Sequence, residues 1–134
     1  MKKFLKIIGI ILGVFVLLIV VMMVSMFVKL GSDMKNLNYA EVNMSDVADG
    51  TYEGIAETTM VKATVSVTVE AHKITEIKIL RHENGKGAKA ESIVDTMIVE
   101  NTYQVDGISG ATTSSNVIKS AVSNALEKGV TKND

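Results

Sequence analysis

The sequence predicts a small α+β domain carried behind one membrane-spanning helix. Three features predict this architecture: an uncharged apolar run at residues 7–28, alternating valines at residues 64–69, and an amphipathic pattern at residues 115–127. We expect a small antiparallel sheet, made of a hairpin and short strands, packed against two helices and preceded by an N-terminal transmembrane helix. A chain of 134 residues has room for one such domain.

The apolar run is long enough to cross a membrane. It contains 22 residues without a charge, and about 20 are needed to span the hydrocarbon core. A cleaved signal peptide would have a shorter run of about 7–15 apolar residues and a small-residue cleavage site. Residues 24–26 are Val-Ser-Met, which is no such site, so we expect an uncleaved signal anchor. Three lysines precede the run and place the N-terminus in the cytoplasm and the domain outside.

The predicted organisation has five parts. Residues 1–6 are a cytoplasmic basic tail, 7–28 the transmembrane signal anchor, 29–45 a linker, 46–130 the folded domain and 131–134 a tail. Within the anchor, Gly9 and Gly13 form a G-x-x-x-G pair. Such a pair can pack against a partner helix, so a single-pass subunit of a larger membrane complex is an open alternative.

The composition excludes several kinds of chemistry. With no cysteine, the chain has no disulfide, thiol nucleophile or iron–sulfur ligand set. Two histidines are too few for a convincing metal site, so we expect no metal. Residues 46–130 hold 8 basic and 12 acidic side chains, a net charge of −4. An acidic domain is a poor nucleic-acid binder, because neutralising phosphates supplies most of that affinity.

In the middle of the domain, the sequence pattern predicts three strands followed by a helix. A turn dipeptide, Asp49-Gly50, opens a strand that ends near Glu57. Strands at residues 64–69 and 74–80 form a hairpin around a turn at 71–73, which leaves His72 in solvent. Residues 88–100 predict a helix with Ile93 and Met97 in the core, followed by an extended piece at 103–105.

Residues 106–115 carry the strongest functional signal. Two glycines and five hydroxyl residues stand directly before the last amphipathic helix, with Gly129 as its expected stop. The N-terminus of a helix offers backbone N–H groups and a positive dipole end to an anion, and a hydroxyl there can bond a phosphate or be esterified by one. The alternative is that the hydroxyls only cap the helix, and local chemistry leaves both open.

A known family shares this loop. Residues 106–112 read D-G-I-S-G-A-T, which resembles the D-x-x-S/T-G-A-T/S signature of the FMN-binding domain family. That family includes the flavin-carrying subunits of the Rnf and sodium-translocating NADH:quinone reductase complexes. Residues 49–54, D-G-T-Y-E-G, are similar to its opening strand. The resemblance covers roughly residues 46–126.

The resemblance implies one covalently bound FMN per chain. In the family, a separate magnesium-dependent flavin transferase joins the FMN phosphate to the last hydroxyl residue of the signature, which is Thr112 here. Ser109 and the N–H groups around Gly110 and Ala111 would hold the phosphate, with Thr113 continuing the hydroxyl stretch. Asp106 would order the loop or be recognised by the transferase. His82, followed by a glycine-containing segment, would be a neighbour of the cofactor.

The expected function is electron transfer by a carrier rather than by a self-contained enzyme. The sequence has no NAD-binding glycine motif and no acid/base pair in a credible arrangement, so no catalytic residues are expected. The protein would be a membrane-anchored, extracytoplasmic flavoprotein that shuttles electrons between a membrane donor, either a quinol or a flavoprotein, and an external or partner acceptor. The alternative is a membrane-anchored adaptor or sensor that binds FMN non-covalently, or a non-redox subunit of a membrane complex.

Overall fold

A computed structural model of the chain describes residues 1–83 and 88–131. The chain divides into two compact units, Met1–Asp33 and Met34–Asp134. Of the expected tail at 131–134, only residue 131 lies within the described part.

The first unit consists of helix. The helix α1 spans Lys2–Lys35, and its segment Lys2–Lys29 is long and apolar enough to cross a membrane. At 1.5 Å per residue, those 28 residues measure about 42 Å, more than the roughly 30 Å of a hydrocarbon core. The large apolar side chains between Phe4 and Val28 are exposed within this unit. The predicted N-terminal apolar helix is therefore confirmed.

The second unit contains a three-stranded antiparallel sheet. Its strands, β1 (Gly50–Glu57), β2 (Lys62–Glu70) and β3 (Lys73–Glu83), lie in the order β1-β2-β3. The predicted alternation along β2 is confirmed, since its valines at 65, 67 and 69 are fully buried and the hydroxyl residues between them face the other side. One face of the sheet is thus apolar and must be covered by helices.

The hairpin between β2 and β3 is tighter than the sequence indicates. Only Ala71 and His72 form the turn, and both have positive φ, 51° and 62°, which suits a two-residue hairpin. Two register shifts interrupt the β2–β3 ladder, and they leave Thr75 and Leu80 of β3 without an opposing residue in β2. These bulges explain why Ile74 and Ile77, three positions apart, both face the core.

The predicted helix at residues 88–100 consists of two pieces. A 3₁₀ helix, Ala88–Ser92, precedes helix α2, Ile93–Glu100, whose buried residues are Ile93 and Met97 as expected. Asn101, in the left-handed conformation, ends α2. Its side chain accepts the Ile74 N–H at 2.8 Å and donates to the His72 carbonyl at 3.1 Å, so it ties the end of α2 to the hairpin.

The last helix, α3 (Thr112–Gly129), begins one turn earlier than its apolar pattern indicates. Ala111 is the N-cap, and its carbonyl accepts the Ser115 N–H at 2.9 Å. Gly129 is the final helical residue rather than the residue after the helix. A Cβ at Gly129 would lie 2.6 Å from ring atoms of Tyr52, so this glycine allows close packing rather than a left-handed turn.

Helix α3 packs directly on the apolar face of the sheet. Its inward side chains are fully buried, and they are Val117, Ile118, Ala121, Val122, Ala125 and Leu126. The backbones come close at Gly54 of β1, where an added Cβ would clash with the Ala121 carbonyl oxygen and lie 2.6 Å from the Ala125 nitrogen. The absence of a side chain at Gly54 therefore sets how closely α3 lies on the sheet.

Residues 37–40 form a strap along α3. Leu37 and Ala40 are buried, and the Asn38 carbonyl accepts hydrogen bonds from the Ser120 and Ser123 hydroxyls. Tyr103 donates its hydroxyl to the Ala40 carbonyl at 2.7 Å. This part of the interval expected to be linker is thus packed on the domain, and it satisfies the buried serines on the outer side of α3.

Candidate functional site

The signature loop turns sharply just before α3. The Ile108 carbonyl accepts a hydrogen bond from the Ala111 N–H at 3.0 Å. This bond closes a four-residue turn with Ser109 and Gly110 at its tip. Gly110 has a φ of +78°, the left-handed conformation that a turn of this kind requires at its third position. Ser109 and Gly110 are both exposed, so the tip of the loop is open to solvent.

Ser115 fastens this turn from inside. Its side chain is fully buried, and its hydroxyl donates to the Ala111 carbonyl at 2.8 Å and accepts the Ile108 N–H at 2.9 Å. The same hydroxyl therefore holds both ends of the turn. A Cβ at Gly107 would lie 3.3 Å from the Ser115 Cβ, so the chain before the turn also passes close to this residue.

Thr112 stands at the open end of α3. It is the first helical residue, and it is exposed. The N-cap Ala111 is buried and its side chain forms no capping hydrogen bond. In the described part of the chain, no hydrogen bond involves the amide N–H of Thr112, Thr113 or Ser114. The first turn of α3 therefore presents three backbone N–H donors. No side-chain hydroxyl of the described residues accepts a hydrogen bond from them, so they are available to a ligand.

The charges around the loop favour an anion. The first turn of α3 contains no acidic residue, and the helix dipole is positive at this end. Lys89, in the 3₁₀ helix, lies over the tip of the loop, where a Cβ at Gly110 would be 2.7 Å from its Nζ. Asp106 is exposed at the start of the loop.

Lys89 is a site residue that the sequence did not reveal. It lies 21 positions before Gly110, and no motif links the two. Only the packing of the 3₁₀ helix against α3 brings them together.

The structure places His82 in a side-chain pair near Lys89. Its side chain is 1% exposed, and its Nδ1 lies 3.0 Å from the Glu91 carboxylate. Glu91 and Lys89 belong to the same 3₁₀ helix. The glycine-containing segment expected to approach the cofactor with His82, residues 84–87, lies outside the described residues.

An open pocket of about 430 Å³ borders the chain at the start of the loop. Its lining includes Asp106, Lys119 of α3, Tyr39 of the strap and Tyr103. Burial, and then the neighbouring Tyr103, raise the pKa of the Tyr39 phenol above its ordinary value. Tyr39 donates to the Asn116 carbonyl at 3.4 Å. The pocket is thus bordered by Asp106 at the start of the signature loop and by Lys119 of α3.

The family model of the FMN-binding domain matches residues 59–127. This stretch holds β2, β3, both short helical pieces, the signature loop and most of α3, and it is 69 of the 134 residues. The chain belongs to the FMN-binding domain family. The resemblance read from the signature is therefore confirmed, and FMN is the ligand that this domain binds. None of the curated proteins compared with the chain matches it.

The residues of this FMN-binding domain fit the phosphate end of FMN. A phosphate monoester needs hydrogen-bond donors and positive charge. Three N–H groups in the first turn of α3, an exposed hydroxyl at Thr112 and the ammonium of Lys89 supply them at one place. The left-handed Gly110 has no side chain to keep a phosphate away from the backbone.

Proposed function

We propose that this protein is a membrane-anchored flavoprotein that carries one FMN, esterified through its phosphate to Thr112, and passes electrons from a membrane donor to an acceptor outside the cytoplasm. The observation that carries the proposal is the exposed Thr112 hydroxyl at the head of α3, above three uncommitted backbone N–H groups. A hydroxyl in that position is accessible to a second protein and is surrounded by donors for the group that it would carry.

Attachment would be a phosphoryl transfer from FAD in the site of a magnesium-dependent flavin transferase. The Thr112 hydroxyl oxygen bonds to the phosphorus of the FMN half. The bond from that phosphorus to the bridging oxygen breaks, and AMP leaves with that oxygen and the electron pair. The hydroxyl proton passes to a base of the transferase. The product is a phosphodiester between Thr112 and riboflavin.

The remaining residues of the loop would hold the phosphodiester. The N–H groups of Thr113 and Ser114 donate to its oxygens, and the α3 dipole adds about 0.3–1 kcal/mol. Ser109 and the backbone around Gly110 and Ala111 border the same space. Asp106 would repel the phosphate at close range, so its role is to order the loop or to be recognised by the transferase.

Bound FMN would supply the redox chemistry. The domain contributes by fixing the phosphate, which holds the flavin at one place on the surface. The exposed position of Thr112 suits a carrier, because a partner protein or a quinol must approach the flavin.

The anchor gives the proposed location. The positive-inside rule puts Lys2, Lys3 and Lys6 in the cytoplasm and the domain on the far side of the membrane. Covalent attachment suits that location, since a dissociated cofactor would be lost there. The competing function, an adaptor or sensor that binds FMN loosely, predicts that denaturation releases the flavin.

The first test is flavin fluorescence after denaturing electrophoresis. The full chain is coexpressed with a flavin transferase, and its band is examined under ultraviolet light. We expect a fluorescent band for the wild type and for Thr112→Ser, which keeps a hydroxyl. Thr112→Val, which has the same shape without the hydroxyl, should give none.

Thr113→Ala is the matched control, because it removes the neighbouring hydroxyl and should leave the band unchanged. A fluorescent Thr112→Val band would show that the attachment site is elsewhere. A dark wild-type band beside an active transferase would favour the adaptor or sensor.

A further inference from the structure

Lys89 occupies an unfavourable place for a cation. Its ammonium lies over Gly110, next to the N-terminus of α3. The N-terminus of a helix carries a partial positive charge, so a lysine there is repelled unless an anion lies between the two. Basic residues are favoured at the opposite end of a helix.

Lys89 forms no ion pair with any of the described residues. The ion pairs there join Lys62 to Glu57, Lys78 to Glu76 and His82 to Glu91, and none involves Lys89. Glu91, in the same 3₁₀ helix, is paired with His82. Lys89 is exposed, so core packing does not explain its position either. Its long side chain reaches the loop, where its Nζ would lie 2.7 Å from a Cβ at Gly110.

We propose that Lys89 positions the phosphate that Thr112 receives. The inference rests on the proposed attachment of FMN at Thr112. During transfer, the ammonium neutralises the pyrophosphate of FAD next to the attacking hydroxyl. After transfer, it stays paired with the phosphodiester between itself and the α3 N–H groups. Lys89 forms no bond to phosphorus, so it is a positioning residue and the chemistry remains that of Thr112 and the transferase.

The test compares rates of flavin attachment. Full-length apo-protein in mild detergent is mixed with FAD, magnesium and purified transferase, and bound flavin is followed by fluorescence in denaturing gels. Lys89→Gln and Lys89→Ala should lower the initial rate about tenfold, the effect expected for losing one charge-assisted hydrogen bond. Lys89→Arg should keep most of the rate because it keeps the charge. Lys128→Ala, which removes a lysine at the far end of α3, is the matched control and should react like the wild type.

Two further readouts separate charge from structure. Added salt should slow attachment to the wild type more than attachment to Lys89→Gln. Salt screens the attraction between the Lys89 ammonium and the phosphate, which the variant lacks. The thermal midpoints of Lys89→Gln and Lys89→Ala apo-protein should not fall below that of the wild type, because these variants lose a repelled charge. Equal rates for Lys89→Gln and wild type, or a Lys89→Arg rate as low as that of Lys89→Ala, would overturn the inference while leaving Thr112 as the attachment site. A wild type that takes up no flavin beside an active transferase would overturn the proposed function, and Lys89 would lose this role with it.

Discussion

Ser115 shapes the signature loop, although its hydroxyl is buried and out of reach of a ligand. Five hydroxyl residues of the loop look alike in the sequence, and the structure separates them. Ser109 and Thr112 are exposed, whereas Ser114 and Ser115 are buried. The family motif predicts Thr112 as the attachment site. The internal role of Ser115 depends on where the turn folds back, and no local pattern encodes that.

Ser115→Ala should destabilise the domain. The substitution leaves the Ile108 N–H and the Ala111 carbonyl without their side-chain partner, and an unsatisfied buried polar group costs about 1–3 kcal/mol. Urea unfolding of the full chain in mild detergent measures this loss. Thr113→Ala, a neighbour whose hydroxyl forms no hydrogen bond in the described residues, should change the free energy of unfolding by less than about 0.5 kcal/mol. Equal stability of the two variants would contradict the role of the Ser115 hydroxyl in holding the loop.

At the scale of elements, the contact between β1 and α3 fixes the position of Thr112, the proposed attachment point. Helix α3 lies against Gly54, and the strap holds its outer side through Ser120 and Ser123. Because both sides of α3 are held, its N-terminus and Thr112 have a defined position. The helix is therefore both the main cover of the sheet and the support of the site.

Gly54→Ala should be strongly destabilising. The new methyl group would overlap backbone atoms of α3, which cannot move aside as a flexible side chain can. Overpacking of this kind typically costs 1–3 kcal/mol, and a backbone clash belongs at about the upper end. Thermal unfolding followed by circular dichroism checks this. Glu53→Ala, on the exposed face of the same strand, is the control, and an unchanged midpoint for Gly54→Ala would mean that α3 does not lie this close.

The sequence predicted the elements better than their details. Valine alternation identified β2, and apolar spacing identified α2 and α3, because burial on one face leaves a periodic pattern. The bulges at Thr75 and Leu80, the 3₁₀ start before α2 and the strap were missed. Each of these depends on contacts between distant parts of the chain. Lys89 was missed for the same reason, since its place beside Gly110 is a product of tertiary packing.

At the scale of the whole molecule, we propose that a membrane anchor holds a flavin-carrying domain outside the cytoplasm. The chain contains no cysteine, so single introduced cysteines report its topology directly. In intact cells, a membrane-impermeant maleimide should label Lys128→Cys, on the exposed end of α3. It should label Lys3→Cys only after the membrane is opened. The reverse pattern would place the domain in the cytoplasm and contradict the proposed orientation.

The central claim is that Thr112 carries FMN, and peptide mapping by mass spectrometry tests it most directly. The full chain is isolated from membranes that contain an active flavin transferase, denatured and digested with trypsin. We predict that the peptide spanning residues 90–119 carries the mass of one FMN less one water, and that fragmentation places the addition on Thr112. An addition on Ser109, Thr113 or any other residue, or an unmodified peptide from such membranes, would contradict the account.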